Sequence, residues 1–356
     1  MGIKVSLSLL FINKSFIKSY LCIEMLKNRT PQKTVFAFLG MAVLFAIIKL
    51  FSFSKVDSSA EYQKSFTENY HVFALDIPKN MNFAGDKVPV NDFDVRERLD
   101  RELSINVYWQ SQTMLMMKRA NRWFPIIEPI LKKYNVPDDF KFIALTESGL
   151  TNVVSPSGAV GYWQFIESTG KLYDLAIDKE VDERYDVEKS TVAACKYFLE
   201  AYQKLGNWTL VASSYNMGVN GILGQLQKQR VHSYYDLLLN DETFRYVSRL
   251  LAIKEIVENP LKYGFHIRKS DLYPTLPTHI ISVDSSITNL VDLAEQNKTT
   301  YKMLKLLNPW LRQTSLTNPN HKRYQIKILQ PGFAYPDDEN DASINGINHL
   351  ENDSLK

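Results

Sequence analysis

Residues 140–165, FKFIALTESGLTNVVSPSGAVGYWQF, pass from a helical pattern to a non-helical one within a few positions. Phe140, Ile143, Ala144 and Glu147 follow the i, i+3, i+4, i+7 spacing of a single helical face. Pro137, Asp138 and Asp139 are start signals, and Gly149 is a stop. Glu147 therefore falls in the last turn, where the negative end of the helix dipole disfavours its charged form. If the face is buried, desolvation pushes the carboxyl the same way. A carboxyl kept neutral near pH 7 can serve as a general acid. The stripe by itself is explained more simply by a helix-end glutamate turned into water.

After Gly149 the pattern breaks. Pro156, Gly158 and Gly161 mark a tight loop, followed at once by Trp163 and Gln164. Aromatic faces and side-chain amides are the groups that bind sugars. A turn with a core tryptophan and an incidental glutamine reads equally well.

The 356 residues are enough for one sizeable core and a small module. Apolar content of 45% and charged content of 23% belong to ordinary globular proteins. A net charge of +3 is too small to argue for nucleic acid. The six histidines show no metal-ligand spacing, so neither a metal nor a cofactor is expected. Cys22 and Cys195 stand on opposite sides of a long apolar run, and no disulfide framework is implied. Cys195 fits a helical core stripe with Val192, Leu199 and Tyr202.

That apolar run, residues 34–53, has about the ~20 residues a spanning helix needs. Lys27, Arg29 and Lys33 precede it, which puts residues 1–33 in the cytoplasm and exports the remainder. A membrane anchor is expected; a cleaved signal is the alternative, with Ser58, Ser59 and Ala60 as small residues near a cut. Met25 is a natural start for such a signal, leaving residues 1–24 as an extension. Residues 54–90 read as a linker with room for one short strand or helix.

Helical patterning then begins, with Val95, Leu99, Leu103 and Val107 at four-residue intervals. Met114, Met116, Met117 and Trp123 continue it, and Pro125 opens a further helix. Asn207 caps a helix over residues 208–217 that carries Ser214-Tyr215-Asn216-Met217, with Gly218 and Gly221 as its stop. Tyr246 lies on a last long helix before Pro260.

Taken in order, Glu147-Ser148, S-P-S-G-A-V-G-Y-W-Q-F (155–165), V-D-E-R-Y-D (181–186), S-Y-N-M-G (214–218) and E-T-F-R-Y-V (242–247) form a specific series. The series resembles the lytic transglycosylases of the goose-lysozyme-like superfamily, in particular the membrane-bound lytic murein transglycosylase D group. The resemblance implies a mainly α fold, with a lysozyme-like catalytic domain over residues 91–262. It implies that Glu147 is the catalytic acid/base, with Ser148 beside it and Ser155 bonded near it. It further implies that Gln164, Tyr215, Asn216 and Tyr246 bind glycan. Tyr162 stands where leucine is usual, and Ser214 and Met217 replace alanines, departures that bear on subsite preference more than on activity. The implied chemistry is cleavage between N-acetylmuramic acid and N-acetylglucosamine with closure to a 1,6-anhydro ring. No second carboxylate is evident against Glu147, since Asp138 and Asp139 suit a helix start, and a single acid fits ring closure better than hydrolysis. A water-using muramidase and a non-catalytic glycan-binding protein are the alternatives. Peptidoglycan strands and the membrane are the expected partners.

Beyond Pro274 and Pro277 the chain reads βααβ over residues 278–331, with strands near 279–283 and 324–329. This resembles a LysM module, with Leu307-Asn308-Pro309 in its characteristic region and Val283-Asp284-Ser285 in place of Gly-Asp-Thr. The module reads equally as a glycan binder or a structural appendage; all the catalytic motifs precede Pro260, so a chain ending near Pro274 is expected to fold and act on isolated glycan, with weaker retention on whole sacculi. Residues 335–356 are acidic and asparagine-rich and are expected to be disordered.

Overall fold

The computed structural model describes residues 71–335 together with 63–64 and 67–68. The chain divides into two compact units, Met1–Phe73 and Ala74–Lys356. In the first, the described residues 63–64 and 67–68 are helical and exposed, and Thr67 donates to the Gln63 carbonyl. The expected membrane span at 34–53, Cys22 and nearly all of the expected disordered tail lie outside the described residues. Among the described residues no helix is long and apolar enough to cross a membrane.

The second unit is mainly helical. Its helices are α1 (Phe93–Tyr108), α2 (Gln110–Lys133), α3 (Lys141–Ser148), α4 (Glu167–Leu172), α5 (Val187–Leu205), α6 (Trp208–Met217), α7 (Val219–Gln229) and α8 (Asp241–Glu258). The short α3 sits between α2 and α8, while α6 packs on α5, α7 and α8. Phe140, just before α3, meets Phe198 of α5 at 4.6 Å and Trp208 of α6 at 5.1 Å between ring centroids. This aromatic knot in the main core fixes the axis on which Glu147 is carried. Asp186, Asn207 and Asn240 cap α5, α6 and α8 by accepting from first-turn amides.

Four details differ from the sequence reading. The stretch read as linker contains the hairpin β1 (Asn82–Phe83) and β2 (Asp86–Lys87), and Phe83 is fully buried. Asp139 accepts from the Ala84 amide, and Asp86 accepts from Asn207 and Thr209, so the hairpin is tied into the domain. Pro125 and Pro129 both lie inside α2; the break falls earlier, at Trp109, whose ψ of 56° leaves the helical region. On α5 the buried face is Thr191, Ala194, Cys195, Phe198 and Ala201, whereas Tyr202 is turned outward and stacks on Trp208 at 4.1 Å. Gly218 ends α6 alone, and Gly221 lies within α7.

The C-terminal module is β3 (Thr278–Val283), α9 (Leu290–Gln296), α10 (Tyr301–Leu307) and β4 (Tyr324–Leu329), the βααβ order expected. The strands pair antiparallel with Thr278 opposite Leu329 and Val283 opposite Tyr324. Ile326 and Ile328 of β4, Leu290 and Ala294 of α9 and Leu304 of α10 form its own small core.

Candidate active site

Phe140, Ile143 and Ala144 are fully buried, so α3 has one permitted orientation, and Glu147 on the same face emerges at the edge of the core. Gly149 then reverses the chain with φ of +58°, a conformation that glycine adopts without strain. Alongside, α8 brings the buried Tyr246, whose hydroxyl donates to Glu147 Oε1 at 2.6 Å. Burial pushes the Glu147 carboxyl above its ordinary range. The Tyr246 bond and the charge of Arg249 pull against this, Glu242 adds to it, and the net direction is up. Burial likewise holds the Tyr246 and Tyr215 phenols far above their usual range, so both keep their protons.

The loop after α3 forms the facing wall. Ser148 donates to the carbonyls of Ala144 at 3.1 Å and Tyr162 at 2.8 Å, which ties the loop to the helix. Ser155 accepts from the Ala159 amide at 3.0 Å and shares a hydrogen bond with Ser157, so its hydroxyl is engaged within its own loop. Gln164 has φ of +52°, uncommon for a residue with a side chain, and its amide nitrogen donates to Gly161 and Val153 carbonyls. Tyr215 donates to the Trp163 carbonyl at 2.6 Å, and Asn216 accepts from Thr243 at 2.7 Å.

Together these walls enclose a cleft of about 520 Å³ lined in part by Glu147, Ser155, Gln164, Tyr215, Asn216 and Glu242. Of the sequence-derived site residues, five line the cleft, while Ser148 and Tyr246 stand behind it and hold the lining in place. Trp163, considered above as a sugar-binding aromatic, is fully buried and donates its indole N–H to Thr191. Among the described residues no group of acidic, histidine or cysteine side chains could hold a metal.

Glu242 and Tyr197 are among the lining residues that sequence reasoning passed over. Glu242 lies four residues before Tyr246, one helical turn away on the same face, so the signal was present in E-T-F-R-Y-V. Its carboxylate in the cleft wall corrects the reading that Glu147 has no acidic neighbour. Tyr197 had no such signal; it reaches the cleft from α5 and donates to the Ser214 carbonyl at 2.7 Å.

A short helix with a glutamate in its last turn, a tyrosine bonded to that carboxyl and a glycine-turned loop opposite define an acid site in a helical cleft. Residues 124–237 match the family described as Transglycosylase SLT domain, and residues 279–337 match the Soluble lytic transglycosylase C-terminal LysM-like domain. The chain thus carries an SLT transglycosylase domain followed by a LysM-like domain. It is similar to the membrane-bound lytic murein transglycosylase D of Escherichia coli K12, at 28% identity over 223 residues. The same figures hold for the protein of that description from Escherichia coli O6:H1 strain CFT073. The alignments cover 60% of this chain and 48% of each relative, so the chain spans about half the length of the curated relatives it matches.

Proposed function

We propose that this chain is a peptidoglycan lytic transglycosylase that cleaves the β-1,4 bond between N-acetylmuramic acid and N-acetylglucosamine. The observation that carries the reading is Glu147: a carboxyl with a raised pKa, held by Tyr246, at the wall of a cleft of sugar-binding size. The SLT domain match and the similarity to a lytic murein transglycosylase support the same class of reaction.

In the proposed sequence protonated Glu147 gives its proton to the glycosidic oxygen as the bond to the anomeric carbon breaks. The substrate's N-acetyl group stabilises the cation in a substrate-assisted manner. Glu147, now a carboxylate, takes the proton from the C6 hydroxyl, and that oxygen closes on the anomeric carbon to give the 1,6-anhydro product. A raised pKa suits both halves, because the group is protonated at the start and basic enough to recover its proton. Gln164 and Asn216 supply amide groups in the cleft, Ser155 a loop hydroxyl, and Tyr215 and Ser148 fix the loop.

A water-using muramidase is the second reading, and the observation that favours it is Glu242, a second acidic group lining the same cleft. The test is the mass of muropeptides released from purified sacculi. Products lighter by one water than the hydrolytic species support ring closure; hydrated reducing ends alone would replace it with hydrolysis. The proposed location is the cell envelope, through an anchor at 34–53 with the domain on the periplasmic side. A reporter fused after Lys64 should then be active only outside the cytoplasm, and cytoplasmic activity would refute the placement.

A further inference from the structure

The LysM-like module is joined to the catalytic domain through the very segment that supports the cleft loop. Between α4 and α5, Asp178 Oδ1 accepts from the amides of Glu180 and Val181 and forms a tight turn. The turn adds as an edge to the module: the Asp182 amide donates to the Trp310 carbonyl at 2.9 Å, and the Arg312 amide donates to the Glu180 carbonyl at 2.7 Å. The Glu180 carboxylate accepts from both the amide and the hydroxyl of Thr317. Val160, Val181 and Tyr185 complete an apolar cluster with Leu311, Leu316 and Trp310 of the module. Arg312 lies 3.9 Å over the Tyr185 ring, and Lys327 pairs with Glu188 at 2.9 Å.

The opposite side of this segment grips the cleft wall. Arg184 is held by both oxygens of Asp182, at 2.9 and 2.7 Å, with both side chains almost fully buried. Its remaining nitrogen donates to the carbonyls of Phe165 at 3.2 Å and Gly158 at 3.4 Å, the two ends of the glycine-turned loop. A Cβ on Gly161 would overlap the Arg184 carbonyl, so the loop backbone lies directly on the segment. Val160, one of the residues against the module, is itself part of that loop and bridges to Phe165. Ser155, Ala159, Gln164 and Phe165 line the cleft from the same loop. One layer of side chains therefore separates the module's core from the cleft wall.

We infer that the LysM-like module braces the wall of the catalytic cleft from behind: by docking on residues 180–185 it sets the position of the loop that carries Gln164, with Arg184 as the positioning residue. This rests on the proposed glycan-cleaving reading only for its kinetic consequence; the coupling between module and loop is structural. It departs from the expectation that the helical part acts without the module. Leu311 is fully buried in this apolar cluster, and a carboxylate there is costly to desolvate, so Leu311→Asp in the full chain should release the docked edge.

The test measures amide hydrogen exchange and turnover of soluble, uncrosslinked glycan strands by the full chain, its Leu311→Asp variant and its Arg184→Lys variant. Release of the edge should raise exchange in peptides spanning 155–165 by about tenfold or more, with α8 peptides unchanged. The KM for glycan should rise about tenfold while the pH position of activity, set by Glu147 and Tyr246, stays put. Arg184→Lys keeps the charge but not the forked contact and should fall between wild type and Leu311→Asp. If Leu311→Asp does not fold, Glu180→Ala, which removes only the Thr317 acceptor, must show the same changes at smaller size. Wild-type exchange at 155–165 in a chain whose 308–323 peptides have lost protection would overturn the coupling. Raised exchange with unchanged KM would overturn the positioning role. Absence of glycan turnover by wild type would refute the functional reading instead, and the exchange comparison would still decide the coupling.

Discussion

Tyr246 Oη lies 2.6 Å from Glu147 Oε1 and donates a hydrogen bond to it, joining the last turn of α3 to the first half of α8. The bond favours the ionised carboxyl, whereas burial favours the neutral one, and burial prevails. The acidity of Glu147 is thus a balance that single substitutions can tip in either direction.

Tyr246→Phe removes the donor and leaves desolvation less opposed. The Glu147 pKa should climb further, so the alkaline limb of the kcat/KM profile moves to higher pH. The fall in kcat/KM should be about 10- to 100-fold, part of the 10²–10⁴ that general acid–base catalysis supplies. An alkaline limb that stays put or moves down would show that the bond does not tune the carboxyl.

Glu242→Gln acts in the opposite sense. Its carboxylate raises the Glu147 pKa, so the amide should lower it and shift the alkaline limb to lower pH. Continued release of product by this variant is expected if Glu242 is only an electrostatic neighbour. Complete loss, with folding intact, would mark it as a second participating carboxylate.

Stability should carry the same signature. A carboxyl whose folded pKa is raised binds its proton more tightly in the folded chain than in the unfolded one. The folded state therefore loses stability as pH rises from about the ordinary value of 4.5 through the folded value, and the penalty is constant above that. Glu147→Gln lacks the titration, so its stability advantage over wild type should grow across that window in urea unfolding series. An advantage independent of pH would refute the raised pKa.

Asp139 accepts from Lys254 at 2.6 Å and from the Ala84 amide at 2.7 Å, although neither contact reaches the cleft. Asp139→Asn should cost about 1–3 kcal/mol of stability, the range for weakening a bonded charge. Activity per folded molecule should persist. Asp138 is itself largely exposed but bonds the buried Lys141 at 2.6 Å, an ammonium that Glu128 also holds, so Asp138→Asn should cost about 1 kcal/mol of stability and leave activity per folded molecule little changed. Loss of turnover in a folded Asp139→Asn chain would contradict this assignment.

Much of this architecture was legible in local chemistry. Asn207 before an apolar run and Gly218 after it bound α6, and the alternation at 324–329 is β4, because caps and strand period are properties of neighbouring residues. What failed depended on distant partners. The inward face of α5 is set by Phe140 and Trp163, not by α5's own spacing, so Tyr202 was assigned to the wrong side. Phe83 looked like part of a linker because two-residue strands carry no periodicity of their own. Trp163 sits beside a glutamine that does line the cleft, yet the loop turns the indole inward onto Thr191. Glu242 was visible in its motif but not its proximity to the cleft, which arises when α8 folds against α3.

The most direct measurement is release of 1,6-anhydro muropeptides from purified sacculi by wild type and Glu147→Gln, read by mass spectrometry. The amide keeps the shape and hydrogen-bonding capacity of the side chain but can neither give nor recover the proton. Wild type should release anhydro products, and the folded variant should lose at least about 10²–10⁴-fold in rate, because one residue serves as both acid and base. Anhydro release by Glu147→Gln at a rate near that of wild type would contradict the account.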